Sequence, residues 1–224
     1  MIRKNLNDID QKHFRYKLVD PDVDIIKVGS FLVEFFRVNH SIPESMGLAI
    51  HTPKGVIVHS GDFKIDFIPA IDRPADLGKI SRIGQEGVKL YLGESTNART
   101  SGHTPSEKII GENIATVISR HAKQRIIVSA FASNIGRIIQ LIENAVRHNK
   151  VIFLAGRSMV NNVQLCQELG YINVPKEMIR LVSPDIEQLP DERVMILCTG
   201  SQGEEFSALV RMATNTFKDF MLRP

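Results

Sequence analysis

The sequence predicts an α/β protein in two parts: a strand-rich first part and a second part built on a doubly wound parallel sheet. Three observations carry this. Short strand-like runs follow one another closely between residues 25 and 59. After about residue 103, strand-like runs alternate with helical ones. Such alternation is the mark of a parallel sheet with helices packed on it. Finally, 43% of the 224 residues are hydrophobic, which is ordinary for a globular protein with a buried core.

In the first part, residues 1–24 are polar and charged and include a turn at Asp20-Pro21-Asp22. Ile25 to Val28 and Phe31 to Val38 are rich in β-branched and aromatic residues, and Gly29-Ser30 between them is a hairpin signal. Met46 to His51 and Val56 to His59 repeat the pattern around Thr52-Pro53-Lys54-Gly55, so the sheet is antiparallel or mixed. A short helix is expected over Leu77 to Gln85 and a strand over Val88 to Leu92.

In the second part, Thr104-Pro105-Ser106-Glu107 predicts a helix start, with Thr104 as N-cap, Pro105 first and Glu107 three residues after the cap. Ile109, Ile110, Ile114, Val117 and Ile118 then recur at helical spacing. Three strand-turn-helix units follow. Ile126 to Val128 leads through Ser129 to Asn134 into a helix with Ile135, Ile138, Ile139, Ile142 and Val146 on one face. Val151 to Leu154 leads through Ala155 to Ser158 into a second helix, and Val194 to Cys198 through Thr199 to Gly203 into a third. The domains are expected at 1–103 and 104–224.

The formal charge of +3 permits an anionic partner without requiring one. Cys166 and Cys198 are the only cysteines and lie too far apart for a C-x-x-C zinc knuckle or a disulfide framework, so both are expected as buried small hydrophobes. No apolar run follows Met1-Ile2-Arg3-Lys4, and none elsewhere approaches the ~18 residues of a membrane span. The expectation is no signal peptide and a cytoplasmic location.

Two strand ends carry a possible metal ligand, His40 and Asp62, and a third carries an acid, Glu94. Each alone also suits a turn, a cap or the surface. His51 and His59 fall on strands as structural residues, and His13, His121 and His148 on surfaces. The turns ending at Asn134, Ser158 and Gly203 lie beyond strand ends, where open α/β sheets gather ligands. Their Ser, Asn and Gly residues at helix N-termini suit either capping or phosphate binding.

Taken in order, Val38-Asn39-His40-Ser41-Ile42-Pro43, Ser60-Gly61-Asp62-Phe63-Lys64, Gly93-Glu94-Ser95-Thr96-Asn97-Ala98, Phe131-Ala132-Ser133-Asn134, Gly156-Arg157-Ser158-Met159 and Thr199-Gly200-Ser201-Gln202-Gly203-Glu204 resemble bacterial ribonuclease J, from about residue 25 onward. That family is a metallo-β-lactamase-fold nuclease with an inserted β-CASP domain. The resemblance implies a partial metallo-β-lactamase αββα half-domain followed by an incomplete β-CASP domain. It implies hydrolysis of RNA from the 5′ end and internally, by two zinc ions. His40 then matches a metal ligand and Asp62 the carboxylate bridging the metals. The resemblance also implies that Asp62 and Glu94 are the catalytic acids and that Phe131, Ala132, Ser133 and Asn134 match an RNA- and phosphate-binding loop. Phe131 is either a base-stacking face or a core residue.

The family's H-x-H-x-D-H motif, its H-V-S-G-H segment and its final histidine ligand have no counterpart in this sequence. The expectation is therefore an internal fragment, inactive alone. A homo-oligomer is possible for the full-length protein. The alternative is a non-catalytic RNA-binding or scaffolding paralogue; retention of His40, Asp62 and Glu94 favours the nuclease.

Overall fold

The computed structural model describes residues 17–218, 220 and 222. His13 lies outside them. The chain forms two compact units. The first comprises described residues 17–40, 44–67 and 72–104; the second comprises 41–43, 68–71 and the chain from 105 onward.

The first unit is a five-stranded mixed sheet in the order β1-β2-β3-β4-β5. Its strands are β1 (Ile25–Val28), β2 (Phe31–Arg37), β3 (Met46–Thr52), β4 (Gly55–His59) and β5 (Val88–Leu92). Two-residue turns close the first and third pairings, Val28↔Phe31 and Thr52↔Gly55. Gly29 at φ +60 and Gly55 at φ +127 supply backbone conformations that a side chain would oppose. The last pairing, β4 with β5, is parallel. Parallel strands need a crossover, and it contains α1 (Leu77–Gln85), whose N-terminus Asp76 caps by accepting from Lys79 N at 2.9 Å.

Strand alternation divides this sheet. On one face Phe36, Val38, Ala49, Val56 and Val58 form a core with Ile83 of α1. A buried ion cluster adjoins it: Glu34, 5% exposed, accepts from Arg82 and from His51 Nε2 at 3.1 Å, with Lys79 Nζ at 3.6 Å. His51 is thus structural, as expected. The register places Phe35, Leu48, Ile50, Ile57, Leu90 and Leu92 on the other face. That face is less covered: Leu90 is 48% and Leu92 47% exposed.

In the second unit, β6 (Ile126–Ser129), β7 (Val151–Ala155), β8 (Ile179–Leu181) and β9 (Val194–Cys198) form a wholly parallel sheet in the order β6-β9-β7-β8. The helices are α2 (Glu107–Arg120), α3 (Ile135–Arg147), α4 (Arg157–Glu168) and α5 (Ala208–Ala213). Every residue of the two central strands, β7 and β9, is buried, as expected when both faces of a sheet are covered. Ile152, Leu154, Met195 and Leu197 join Ile118 of α2, Ile138 and Ile142 of α3, and Met159 and Val163 of α4. The alternate residues Val151, Phe153, Val194, Ile196 and Cys198 join Ile186, Met212 of α5 and Phe220. Both cysteines are buried as expected, Cys166 at 4% and Cys198 at 0% exposure.

Several details differ from expectation. The cap of α2 is Ser106, not Thr104: Ser106 Oγ accepts from Lys108 N at 3.2 Å and donates to Ile68 O at 2.8 Å. That second bond anchors the cap two residues later. On α2, Ile109 and Val117 stay 47% and 55% exposed, so only Ile110, Ile114 and Ile118 form the inward stripe. The third strand-following helix starts at Ala208, capped by Ser207, rather than directly after Gly203. Strand β8 was not expected. Segments 41–43 and 68–71 belong with the second unit through bonds such as Gly136 N to Ser41 O at 3.4 Å.

Lys150, just before β7, is fully buried, and its Nζ donates to Ala122 O (3.0 Å), Gln124 O (2.8 Å) and Glu192 O (2.8 Å). One ammonium thereby ties together the approaches to three strands of the second sheet.

Candidate active-site residues and candidate nucleic-acid interface

In the first unit, β2 and β4 both run antiparallel to β3, and β5 runs parallel to β4. The carboxyl ends of β2, β4 and β5 therefore share one edge of the sheet. His40, Asp62 and Glu94 follow those three ends. Backbone bonds hold the ends together. Lys64 N donates to Asn39 O at 2.8 Å, closing an isolated Asn39↔Lys64 bridge. Asn39 is 2% exposed; its Nδ2 donates to Arg73 O and its Oδ1 accepts from Ala75 N, both at 3.0 Å. That pair of hydrogen bonds pins the residue before His40.

Ser60 joins β4 to β5. Its N donates to Leu92 O at 3.0 Å, and its Oγ accepts from Glu94 N at 3.1 Å. Gly61 is needed at φ +64, where a Cβ would lie 3.0 Å from Met46 O. His59 Nδ1 accepts from Gly61 N at 3.0 Å, a structural role at the same turn.

The three candidates differ in what their side chains do. Glu94 Oε2 accepts from Thr96 N at 2.6 Å, the turn-capping role open to any acid there. His40 is half-buried and Asp62 exposed, and neither side chain has a hydrogen bond or ion pair among the described residues. Zinc in proteins takes three or four His, Cys or carboxylate donors. Among the described residues no group of three or more His, Cys, Asp or Glu could hold a metal ion. A histidine and a carboxylate at one edge are therefore too few to fit a zinc site.

In the second unit, the ends of β6, β7 and β9 share one edge because the sheet is parallel. The 129–134 loop runs from β6 into α3. Asn134 caps α3, its Oδ1 accepting from Arg137 N at 3.1 Å. Ser158 does not cap: it sits in the first turn of α4, whose N-cap Gly156 has no side chain to offer. Gly156, at φ +100, lets the β7 turn approach the β9 loop; a Cβ there would meet Thr199 Oγ1 at 2.7 Å.

Phe131 is 47% exposed, so its ring is available as a face and is not a core residue. With Ala132, Ser133, Asn162 and Thr199 it lines an open groove of about 420 Å³. Ala132 O accepts from Asn162 Nδ2 at 2.7 Å, fixing the loop to α4. Phe206 was not singled out from the sequence. It lies just past the Thr199 to Glu204 motif and is 85% exposed; an aromatic in a polar, glycine-rich loop was the available signal. No helix among the described residues is long and apolar enough to cross a membrane.

Residues 123–224 match the family model of the ribonuclease J β-CASP domain. The chain is 42% identical over 199 residues to ribonuclease J of Helicobacter pylori (strain B128), covering 89% of this chain and 28% of that protein. It is 45% identical over 192 residues to ribonuclease J 1 of Streptococcus pyogenes, covering 86% of this chain and 34% of that protein. Against ribonuclease J of Thermus thermophilus the identity is 40% over 212 residues, covering 94% and 36%. The chain thus spans about a third of the length of these curated relatives. A crystal structure of a protein of unknown function from Enterococcus faecalis V583 shares the fold, with a TM-score of 0.55 at 17% identity over 83% of this chain and 45% of that one. The architecture is that of a partial metallo-β-lactamase and β-CASP fold. Matched by a family model over its second part and by relatives over most of its length, the chain belongs to the ribonuclease J family.

Proposed function

We propose that this chain is a segment of a zinc-dependent ribonuclease that hydrolyses RNA from the 5′ end and internally. The observation that carries this is the placement of His40, Asp62 and Glu94 at one sheet edge within a ribonuclease J sequence. His40 and Asp62, both without partners among the described residues, are the metal donors this segment contributes. Asp62 and Glu94 are the acids that face the reacting phosphate. The other donors come from polypeptide outside the described residues, because two donors make no zinc site. In the second unit the 131–134 loop is a substrate-binding loop, with the ring of Phe131 offered to a base.

The test is a chimera in which residues 25–218 replace the matching segment of the Helicobacter pylori relative. We expect it to cleave labelled RNA. Asp62→Ala should lower cleavage at least about a hundredfold, as removal of a group central to transition-state stabilisation does. Cleavage at the parent rate by the Asp62→Ala chimera removes Asp62 from the site. A chimera that folds and binds RNA without cutting it favours the non-catalytic paralogue.

A further inference from the structure

A second exposed ring stands at the carboxyl edge of the second sheet. Phe206, 85% exposed, belongs to the segment that joins β9 to α5. A single apolar side chain on a surface is ordinary; its surroundings set this one apart. Phe206 lines a groove of about 480 Å³ together with Arg157, Ser158, Thr199, Arg211 and Phe217. Among the described residues the lining includes two arginines and no acid. Arg157 is exposed and has no hydrogen bond or ion pair among the described residues. The Arg211 guanidinium lies 5.2 Å from the centre of the Phe217 ring and, among the described residues, donates once, from Nη2 to Thr216 O at 3.4 Å. A guanidinium has five N–H donors, so most of its capacity stays open. Ser158 and Thr199 also line the Phe131 groove, so the two grooves adjoin.

We propose that this second groove takes one nucleotide of a single-stranded RNA, its base stacked on Phe206 and its phosphate paired with Arg157 and Arg211. The choice of RNA rests on the ribonuclease reading above. Positive charge beside an exposed aromatic face is the combination that holds unpaired nucleic acid without sequence preference. A duplex does not suit the site, because its bases are already stacked on one another. Glu204 lines the adjoining groove and Glu205 is exposed on the same loop. Both oppose a phosphate, so stacking on Phe206 outweighs charge here and the salt dependence is shallow.

The test is a titration of this chain with fluorescently labelled oligouridine across a salt series. Phe206→Ala should weaken binding about 5- to 150-fold, the range for loss of one base–aromatic stack, and Phe206→Trp should keep it. Arg157→Gln should lower the slope of log affinity against log salt by about 0.7, the value for one single-strand phosphate contact. Glu205→Gln should tighten binding slightly. Phe206 is exposed, so its substitution leaves the core intact, which unchanged melting of each variant verifies. Wild-type affinity in Phe206→Ala overturns the proposal, as does failure of the wild-type chain to bind oligouridine. The nuclease reading fails separately: a chimera that binds RNA but does not cleave it, with the Phe206→Ala binding defect intact, removes the nuclease and leaves the groove.

Discussion

The two units of this chain use β-structure in opposite ways. In the second, a four-stranded parallel sheet is covered on both faces, and β7 and β9 contain no exposed residue. In the first, a five-stranded sheet packs α1 on one face while every residue of β5 is exposed. The difference teaches what each connection supplies. Each crossover of a parallel sheet brings along a helix that covers it. Hairpins bring no cover, so among the described residues the first sheet has α1, from its crossover into β5, packed on one face.

Three substitution or labelling experiments can break this contrast. The largest effect is expected at the central strands. Phe153, at 0% exposure, contacts the core on one face of β7, and Phe153→Ala should cost about 3–5 kcal/mol in denaturant unfolding. Leu90→Ala in β5 should cost below about 1 kcal/mol, because half of Leu90 is already in water. Equal costs at the two positions would mean that β5 is covered and the contrast is wrong.

Next in size is Lys150. Lys150→Met strands three carbonyl groups and should lower the stability of the second unit by about 3 kcal/mol. Burial holds the ammonium below its ordinary value of 10.5. As pH rises through that interval, the folded chain gives up this proton before the unfolded chain does. The unfolded state then binds more protons, so this group's contribution to stability rises with pH until 10.5 is passed. Unfolding midpoints of wild type and Lys150→Met at increasing alkaline pH should diverge in that direction. Parallel curves would show that Lys150 does not titrate differently in the fold.

The smallest effect needs no mutation. Burial pushes the Cys198 thiol up to about 11 and raises that of Cys166, and both lie in the second unit. Thiolate is the reactive form, so alkylation under native conditions should be slow and should track opening of the second unit alone. Peptide mapping of the labelled chain checks this. Fast labelling of Cys198 in the folded chain would show that the covered sheet opens more readily than its burial implies.

Much of this architecture was legible in the sequence, for local reasons. Strand-like runs and turn signals marked β1 to β4, and helical spacing marked α3, whose Ile135, Ile138, Ile139 and Ile142 are all buried. The motif order identified the family. Strand β8 was hidden because Ile179-Arg180-Leu181 is too short to show a period and exists only by pairing with β7. Ser106 displaced Thr104 as the cap of α2 through a bond to Ile68, 38 residues away.

The candidate residues divide the same way. Their identities were plain in the chain, and so were the strand ends that carry them. That His40, Asp62 and Glu94 share one edge depends on strand direction, and strand direction is a property of pairing. That Phe131 and Phe206 are exposed while Phe153 is buried depends on which surfaces meet. Local composition and spacing specify elements because backbone preferences act over a few residues. Burial and juxtaposition arise only when segments distant in the chain pack together, and there the tertiary structure decided.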